Sequence, residues 1–577
     1  MKSSLLSILL LLPALSFSQV NIISTNPVAE QVLLGNYNPS TYFASTILNR
    51  PDTISKGINN RVSPDTLKSF ILKLASFRNR NTGSDTISTL RGIGAARRWV
   101  FSKFQQFSAQ NENRLLVSYL QFDTTICGMR SHRDVFAVLP GMDTADNSVI
   151  FIEGHMDSRC EGLCDTACTA EGVEDNSSGT ALVMELARVM SRYSYNHTIV
   201  FLVTIGEEQG LFGASAFAMY AQQKNIPVKS CQNNDVIGGI ICGATSSPPG
   251  CPGLNNIDSL HVRFFSYGGY NSPHKGLARF VKLEYKEMLL PYVSVPMTLN
   301  IMTPEDRSGR SGDHVPFRQH SFTAMRFTSA NEHGDANVSN VNYTDRQHTT
   351  RDTLGADTNN DMVVDSFFVD FDYLARNAVI NGNGAGLTAI GPEQPDFQLT
   401  SAGGYNLRIQ VTQQTQYPQY RVGVRTTTHD WDSVYTMTGT LIDTIVVNPA
   451  NVYYVSVMSV DTNGLESLPS REYMISLSGI NELNKTLSDI QLLQNHPNPF
   501  DEATTISVLV NKPLEYKTAY ISVKDMQGRE ITRLPVSLNK GMNEVYYTHG
   551  YHASGSIIYS LVIDGKIMET RQMVFAN

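Results

Sequence analysis

No block of basic residues occurs anywhere in this 577-residue chain, where 45 Lys and Arg stand against 53 Asp and Glu, a net charge of -8. That absence argues against nucleic acid as a partner, because phosphate binding needs clustered cations. Charged residues make up only 17% of the chain and apolar ones 41%, which is ordinary globular composition, neither disordered nor a membrane bundle. Beyond the N-terminus no apolar run is long enough to cross a bilayer. A chain of this length exceeds what one core can organise, and two to four domains are expected.

The N-terminus itself reads MKSSLLSILLLLPALSFSQV. One Lys, an apolar run from Leu5 to Leu15 and the small residues Ser16 and Ser18 make a signal peptide, with cleavage expected after Ser18. The run is too short for a membrane anchor, so the protein is expected to be secreted or held at the cell surface. In that setting the seven cysteines favour disulfides over a thiolate zinc site. Three stand in RCEGLCDTAC (Cys160, Cys164, Cys168), two in ICGATSSPPGC (Cys242, Cys251), and Cys127 and Cys231 stand apart. The odd count leaves at least one thiol unpaired within the chain, and the spacing leaves the pairing open.

Residues 19–61 carry no strong periodicity and read as a strap or pro-segment. From Ser63 the pattern is helical: Ser63 caps, Pro64 opens the first turn, and Leu67, Phe70, Ile71 and Leu74 share a face. GIGAARRWVFSKFQQF reads as a second helix. Strand-like runs LLVSYLQF, DVFAVLPG, SVIFIEG and TIVFLVTIG then alternate with helical runs such as GTALVMELARVMSRY and LFGASAFAMYAQQ. Such alternation predicts an α/β domain over 62–386, with a mixed, mostly parallel sheet flanked by helices. The helical stretch VVDSFFVDFDYLARNAVIN closes it. After GNGAG, short strands and turns predict two small all-β sandwiches, over 387–480 and 481–577.

The chemistry gathers at strand ends of the α/β domain. TIGEEQG places Glu207 beside Glu208 after an apolar run, an arrangement that costs free energy unless a cation lies between the two or one is protonated. SVIFIEG runs into His155-Met156-Asp157, GVEDNSSG puts Asp175 before a helix, NNDVIGG offers Asp235, and DRQHTTRDT offers His348. Ligands in open α/β sheets collect at such ends. Two histidines with carboxylates and no thiolate suit zinc before cobalt or manganese. DTNNDMVVD (Asp357–Asp365) suggests a calcium loop, but Met362 occupies the glycine position and Phe368 the twelfth, so it reads as a solvated lead-in to the following helix.

The series HMD, EDNSSG, GEEQGLFGA, NNDVIG and QHTTRDT resembles the co-catalytic zinc aminopeptidase family, which includes bacterial leucyl aminopeptidases and the glutamate carboxypeptidases. The resemblance covers residues 63–385. It implies two Zn2+ ions (Co2+ or Mn2+ as substitutes), one held by His155 and Asp235, the other by Glu208 and His348, with Asp175 bridging. It further implies Glu207 as general base, Asp157 as the acid orienting His155, and a cis peptide between Asp175 and Asn176. NDVIG departs from the family's usual wording around Asp235. SGDHVPF (Asp313, His314) matches a recurrent family segment and reads as loop structure before catalysis. The implied activity is removal of N-terminal residues from peptides; a carboxypeptidase, a glutaminyl cyclase-like transferase or a binding protein on the same scaffold are the alternatives. Residues 390–478 resemble a fibronectin type III domain, through Tyr453–Val457, Val460-Asp461 and Gly464. Residues 490–577 resemble a type IX secretion sorting domain, through Pro497–Phe500, Asp525, Gly528, Arg529 and Asp564–Lys566. That last resemblance implies the secretion machinery of an outer-membrane-bearing bacterium as a partner.

Overall fold

The computed structural model describes residues 20–45, 50–143, 145–243, 246, 249–306, 310–332, 345–362, 364–426, 430–449, 451–477, 490–500, 503–525, 529–549 and 555–575. The expected signal peptide and Gly528 lie outside the described residues. Nine strands form one mixed sheet: β1 (Val20–Ser24), β2 (Leu116–Ile126), β3 (Met129–Leu139), β4 (Val149–His155), β5 (Thr198–Thr204), β6 (Val228–Asn234), β7 (His261–Phe265), β8 (Thr298–Ile301) and β9 (Ala324–Ser329). Their order is β1-β2-β3-β5-β4-β6-β9-β7-β8. The centre, β5-β4-β6-β9, is parallel, and β1 to β3 form an antiparallel flank.

Every residue of β4 and β5 is buried, as the apolar runs VIFIEGH and TIVFLVT require of strands covered on both faces. On one face the helices Ser178–Met190 and Phe371–Ile390 pack on each other and on β4. On the other, Phe217 of helix Phe212–Gln223 meets Phe136 of β3 and Phe151 of β4 edge-on, both at 5.1 Å between ring centres. The expected helix over Ser63–Phe77 runs from Pro64 to Ala75, with Ser63 Oγ accepting from Thr66 N. The second spans Gly92–Gln110.

Three local readings change. Residues 20–59 are more than a strap: β1 adds an edge strand, and helices Pro27–Leu33 and Pro51–Asn59 bury Val32, Leu33, Ile54 and Ile58 in the main core. The two helices are short, and each opens on a proline, so little periodicity was there to read. The closing helix starts at Phe371, where Asp370 accepts from Tyr373 N, because Ser366-Phe367 pairs with Gly355-Ala356 as a strand. The described residues of DTNNDMVVD, 357–362 and 364–365, therefore lie between these two short strands and do not lead directly into the helix. The helix also continues through GNGAG to Ile390. Its glycines are packing devices: a Cβ on Gly382 would stand 2.7 Å from Leu186, and one on Gly384 2.8 Å from Val281.

Residues 396–476 form facing sheets of three and four strands around their own core, and residues 490–575 repeat that three-plus-four arrangement around another. The first of these units meets the α/β unit through buried Glu472, which faces Arg279 at 3.1 Å and Arg425 at 2.6 Å. The disulfides are Cys127–Cys164, Cys160–Cys168 and Cys242–Cys251, and Cys231 is a buried thiol. Among the described residues no helix is long and apolar enough to cross a membrane. Phe217→Ala is expected to cost about 3–5 kcal/mol of α/β-unit stability, read as a lower denaturant midpoint for loss of its near-ultraviolet signal.

Candidate metal centre

The carboxyl ends of parallel strands β4, β5 and β6 point to one edge of the sheet, and the candidate residues sit there. His155 is the last residue of β4. Glu207 and Glu208 follow β5 in a tight turn, where Leu211 N bonds Glu207 O. Asp235 follows β6 directly, its N–H bonded to Phe327 O at 3.2 Å. Val236 then turns the chain with φ +54, unusual for a β-branched residue. Its carbonyl accepts from Ser329 N, Thr328 Oγ1 and Ser329 Oγ.

Asp175 lies in the turn entering helix Ser178–Met190, and its peptide to Asn176 is cis, as expected. The turn is held from both sides. Asp352 accepts from Glu174 N at 2.9 Å and Asp175 N at 3.0 Å. Asn176 donates to Asn234 O and accepts from Gly179 N, both at 2.8 Å. Beneath it, fully buried Arg80 donates to Met156 O, Leu74 O, Glu171 O, Gly172 O and Ser177 Oγ. One guanidinium thus joins the loop after β4 to the loop before Asp175. Arg80 carries no spacing signal in the sequence, and Asp352 lies in QHTTRDT without a role that the motif itself assigns.

Two clusters result. His155 Nε2 stands 3.2 Å from Asp235 Oδ1, 3.4 Å from Asp175 Oδ1 and 4.0 Å from Glu207 Oε2. His348 Nε2 stands 3.1 Å from Asp175 Oδ2 and 3.3 Å from Glu208 Oε2. Asp157 lies behind, its Oδ1 3.4 Å from His155 Nδ1. Its carboxylate also accepts from the backbone N–H of both Glu207 and Glu208 and from Thr82 Oγ1. Asp313 is under the site instead of in it: Thr204 Oγ1 lies 2.6 Å from Asp313 Oδ2 and 2.8 Å from Glu153 Oε1, beneath the β4–β5 edge. His314 faces Glu305 O.

Burial pushes the Glu207 and Glu208 carboxyls well above the usual range, and nearby Asp235 and Asp175 respectively push the same way. Burial also opposes the charge on Asp175, but hydrogen bonds to His155 and His348 hold it well below. The cleft over these groups, of about 340 Å3, is also lined by Arg159, Arg310 and Arg326. Arg159 Nε bonds Glu208 Oε2 at 2.9 Å, and Arg326 lies 3.0 Å from Asp235 Oδ2. The residues fit a pair of cations. Each cluster gathers one imidazole and two carboxylates within 4.8 Å, and Glu208 Oε1 is buried without a hydrogen-bond partner. The donors are nitrogen and oxygen only, as zinc accepts.

Residues 134–240 match Peptidase family M28. A probable zinc metalloprotease of Pyrenophora tritici-repentis is 30% identical over 66% of this chain and 79% of its own length. The chain belongs to peptidase family M28. A probable zinc metalloprotease of Leptosphaeria maculans is likewise 30% identical, over 57% of this M28 chain and 75% of its own. Among solved structures, the LapA aminopeptidase of Legionella pneumophila is similar at 18% identity and TM-score 0.43, covering 61% of this chain and 78% of LapA. Arg80→Met in this M28 chain leaves five acceptors, four of them buried, without their donor, and is expected to destabilise it by about 3–5 kcal/mol in thermal or denaturant unfolding.

Proposed function

We propose that this M28 metallopeptidase is a secreted di-zinc exopeptidase that removes N-terminal residues from peptides. The observation that carries the two-metal reading is Asp175, which presents one carboxylate oxygen to His155 and the other to His348. In this reading His155 and Asp235 hold one ion, Glu208 and His348 the other, and Asp175 serves both. Zinc, when bound, supplies Lewis acidity that polarises a peptide carbonyl and acidifies water. Glu207 takes a proton from the attacking water on Oε2 and returns it to the leaving amine. Asp157 keeps the His155 ring and the Glu207–Glu208 turn in place through the contacts given above.

The arginines favour an aminopeptidase over a carboxypeptidase. Arg159 faces Glu208, Arg326 faces Asp235, Asp306 and Glu332, and Arg310 faces Glu332 and Asp345. A substrate carboxylate entering the cleft would meet arginines whose charge is already offset by these carboxylates, whereas a protonated α-amine meets an acidic wall. Disulfides in the described residues support an oxidising, extracellular setting. The sorting-domain reading of the last sandwich rests on its motifs, of which Pro497 and Pro499 stand after cis peptides in a turn.

The activity test is a substrate panel with the full chain: aminoacyl anilides, N-blocked peptides with a free carboxyl end, and glutaminyl peptides, each with chelator and after zinc is restored. Aminoacyl substrates alone should turn over, in a chelator-sensitive way that zinc reverses. Turnover indifferent to chelator would remove the metal reading, and preference for N-blocked peptides would make the enzyme a carboxypeptidase. Glu207→Gln is expected to retain zinc while kcat falls about 10²–10⁴-fold.

A further inference from the structure

Arg326 stands in the middle of buried strand β9, opposite Asn233 of β6 in parallel register, two residues before Asp235. Its side chain is 2% exposed. A guanidinium at such depth needs a counter-charge, and it has two apart from the metal centre: Asp306 Oδ2 at 2.7 Å and Glu332 Oε1 at 2.5 Å. Glu332 is shared with Arg310 at 3.9 Å, but Asp306 by itself matches the single positive charge of Arg326. Its third contact, 3.0 Å to Asp235 Oδ2, is therefore not required to neutralise Arg326. The requirement lies with Asp235, whose other oxygen, Oδ1, faces His155 Nε2.

We infer that Arg326 is a positioning residue for the metal cluster of His155 and Asp235. It claims Asp235 Oδ2, and so presents Oδ1 alone, in one orientation, as a ligand. The inference rests on the metal reading above and adds a difference between the two clusters. At Glu208, Arg159 and His348 share the same oxygen and Oε1 is left bare. At Asp235 the two oxygens are divided, one to the arginine and one to the cluster. Arg159 is 14% exposed at the cleft, while Arg326 reaches the cleft from within the sheet, 2% exposed and clamped by Asp306 and Glu332. Arg326 therefore acts on one ion of the pair.

The test is zinc uptake by the full-length chain, stripped of metal and titrated in competition with a chromophoric chelator. Wild type should take up two ions, and Asp235→Ala should mark which dissociation constant belongs to its cluster. Arg326→Gln should raise that same constant about 10–100-fold, the usual cost of losing a partner that orients a ligand. The other constant should stay within about twofold, which also reports that the variant is folded. Arg326→Lys, which keeps the charge but not the fork, should fall between. Arg326→Gln should add nothing to Asp235→Ala. Two unchanged constants, two constants raised alike, or an undiminished effect on top of Asp235→Ala would each overturn the role of Arg326. A wild-type chain that takes up no zinc would remove the metal reading itself.

Discussion

Four carboxylates, Asp175, Glu207, Glu208 and Asp235, meet at one buried edge of the sheet with only two imidazoles between them. In water such crowding is tolerable, but in a low-dielectric cleft it is not, unless cations share the space. Much of the surrounding structure opposes this repulsion. Arg159 and Arg326 each take an outer carboxylate, Asp157 binds the Glu207–Glu208 turn through its backbone, and Asp352 binds the Asp175 turn in the same way. The parallel centre of the sheet makes the convergence possible, because three neighbouring strands end at the same level and each delivers its next residues to the same edge.

The adjacency of Glu207 and Glu208 resolves within that frame. Successive residues leaving a strand project differently, and here Glu207 turns toward His155 while Glu208 turns toward His348. Asp175 spans the gap with its two oxygens. The six residues named from strand ends and motif order all converge, as does Asp157 behind them. This much was legible because strand-end carboxylates and histidines stand out against apolar runs. Arg80 and Arg326 were not legible: a single arginine in MRFTS or RNRNTGS has no periodic partner, and its function depends on backbone carbonyls or carboxylates distant in sequence. Asp352 stood inside QHTTRDT, but nothing in that motif tells that it binds the turn at Asp175.

The same contrast governs the fold. Long apolar strands and long amphipathic helices announced themselves, since β4, β5 and Ser178–Met190 are buried nearly throughout. The glycine-rich end of helix Phe371–Ile390 misled, because glycine disfavours a helix by local propensity. Here close packing on Leu186 and Val281 outweighs that propensity, and a Cβ at either glycine would force those side chains to move. The short helices before Ser63 were hidden for the opposite reason. Each buries only two or three apolar side chains, too few to establish a period.

The segment that carries Arg159 into the cleft obeys a different physics from the cleft floor. Between Arg159 and Ala170 the chain has no regular structure beyond an isolated bridge, and Leu163 at its tip is 48% exposed, so apolar burial does little to hold it. Covalent and polar ties do so instead. Cys160–Cys168 closes the segment on itself, and Cys127–Cys164 pins it to the β2–β3 turn. Asn81 and Gln209 both donate to Leu163 O, and Asn79 donates to Cys168 O. Arg159 reaches Glu208 from the root of this segment, so the ties that order the segment also bear on a carboxylate of the centre. A segment that cannot bury enough surface to order itself is thus ordered by cross-links, which persist only where the surroundings are oxidising.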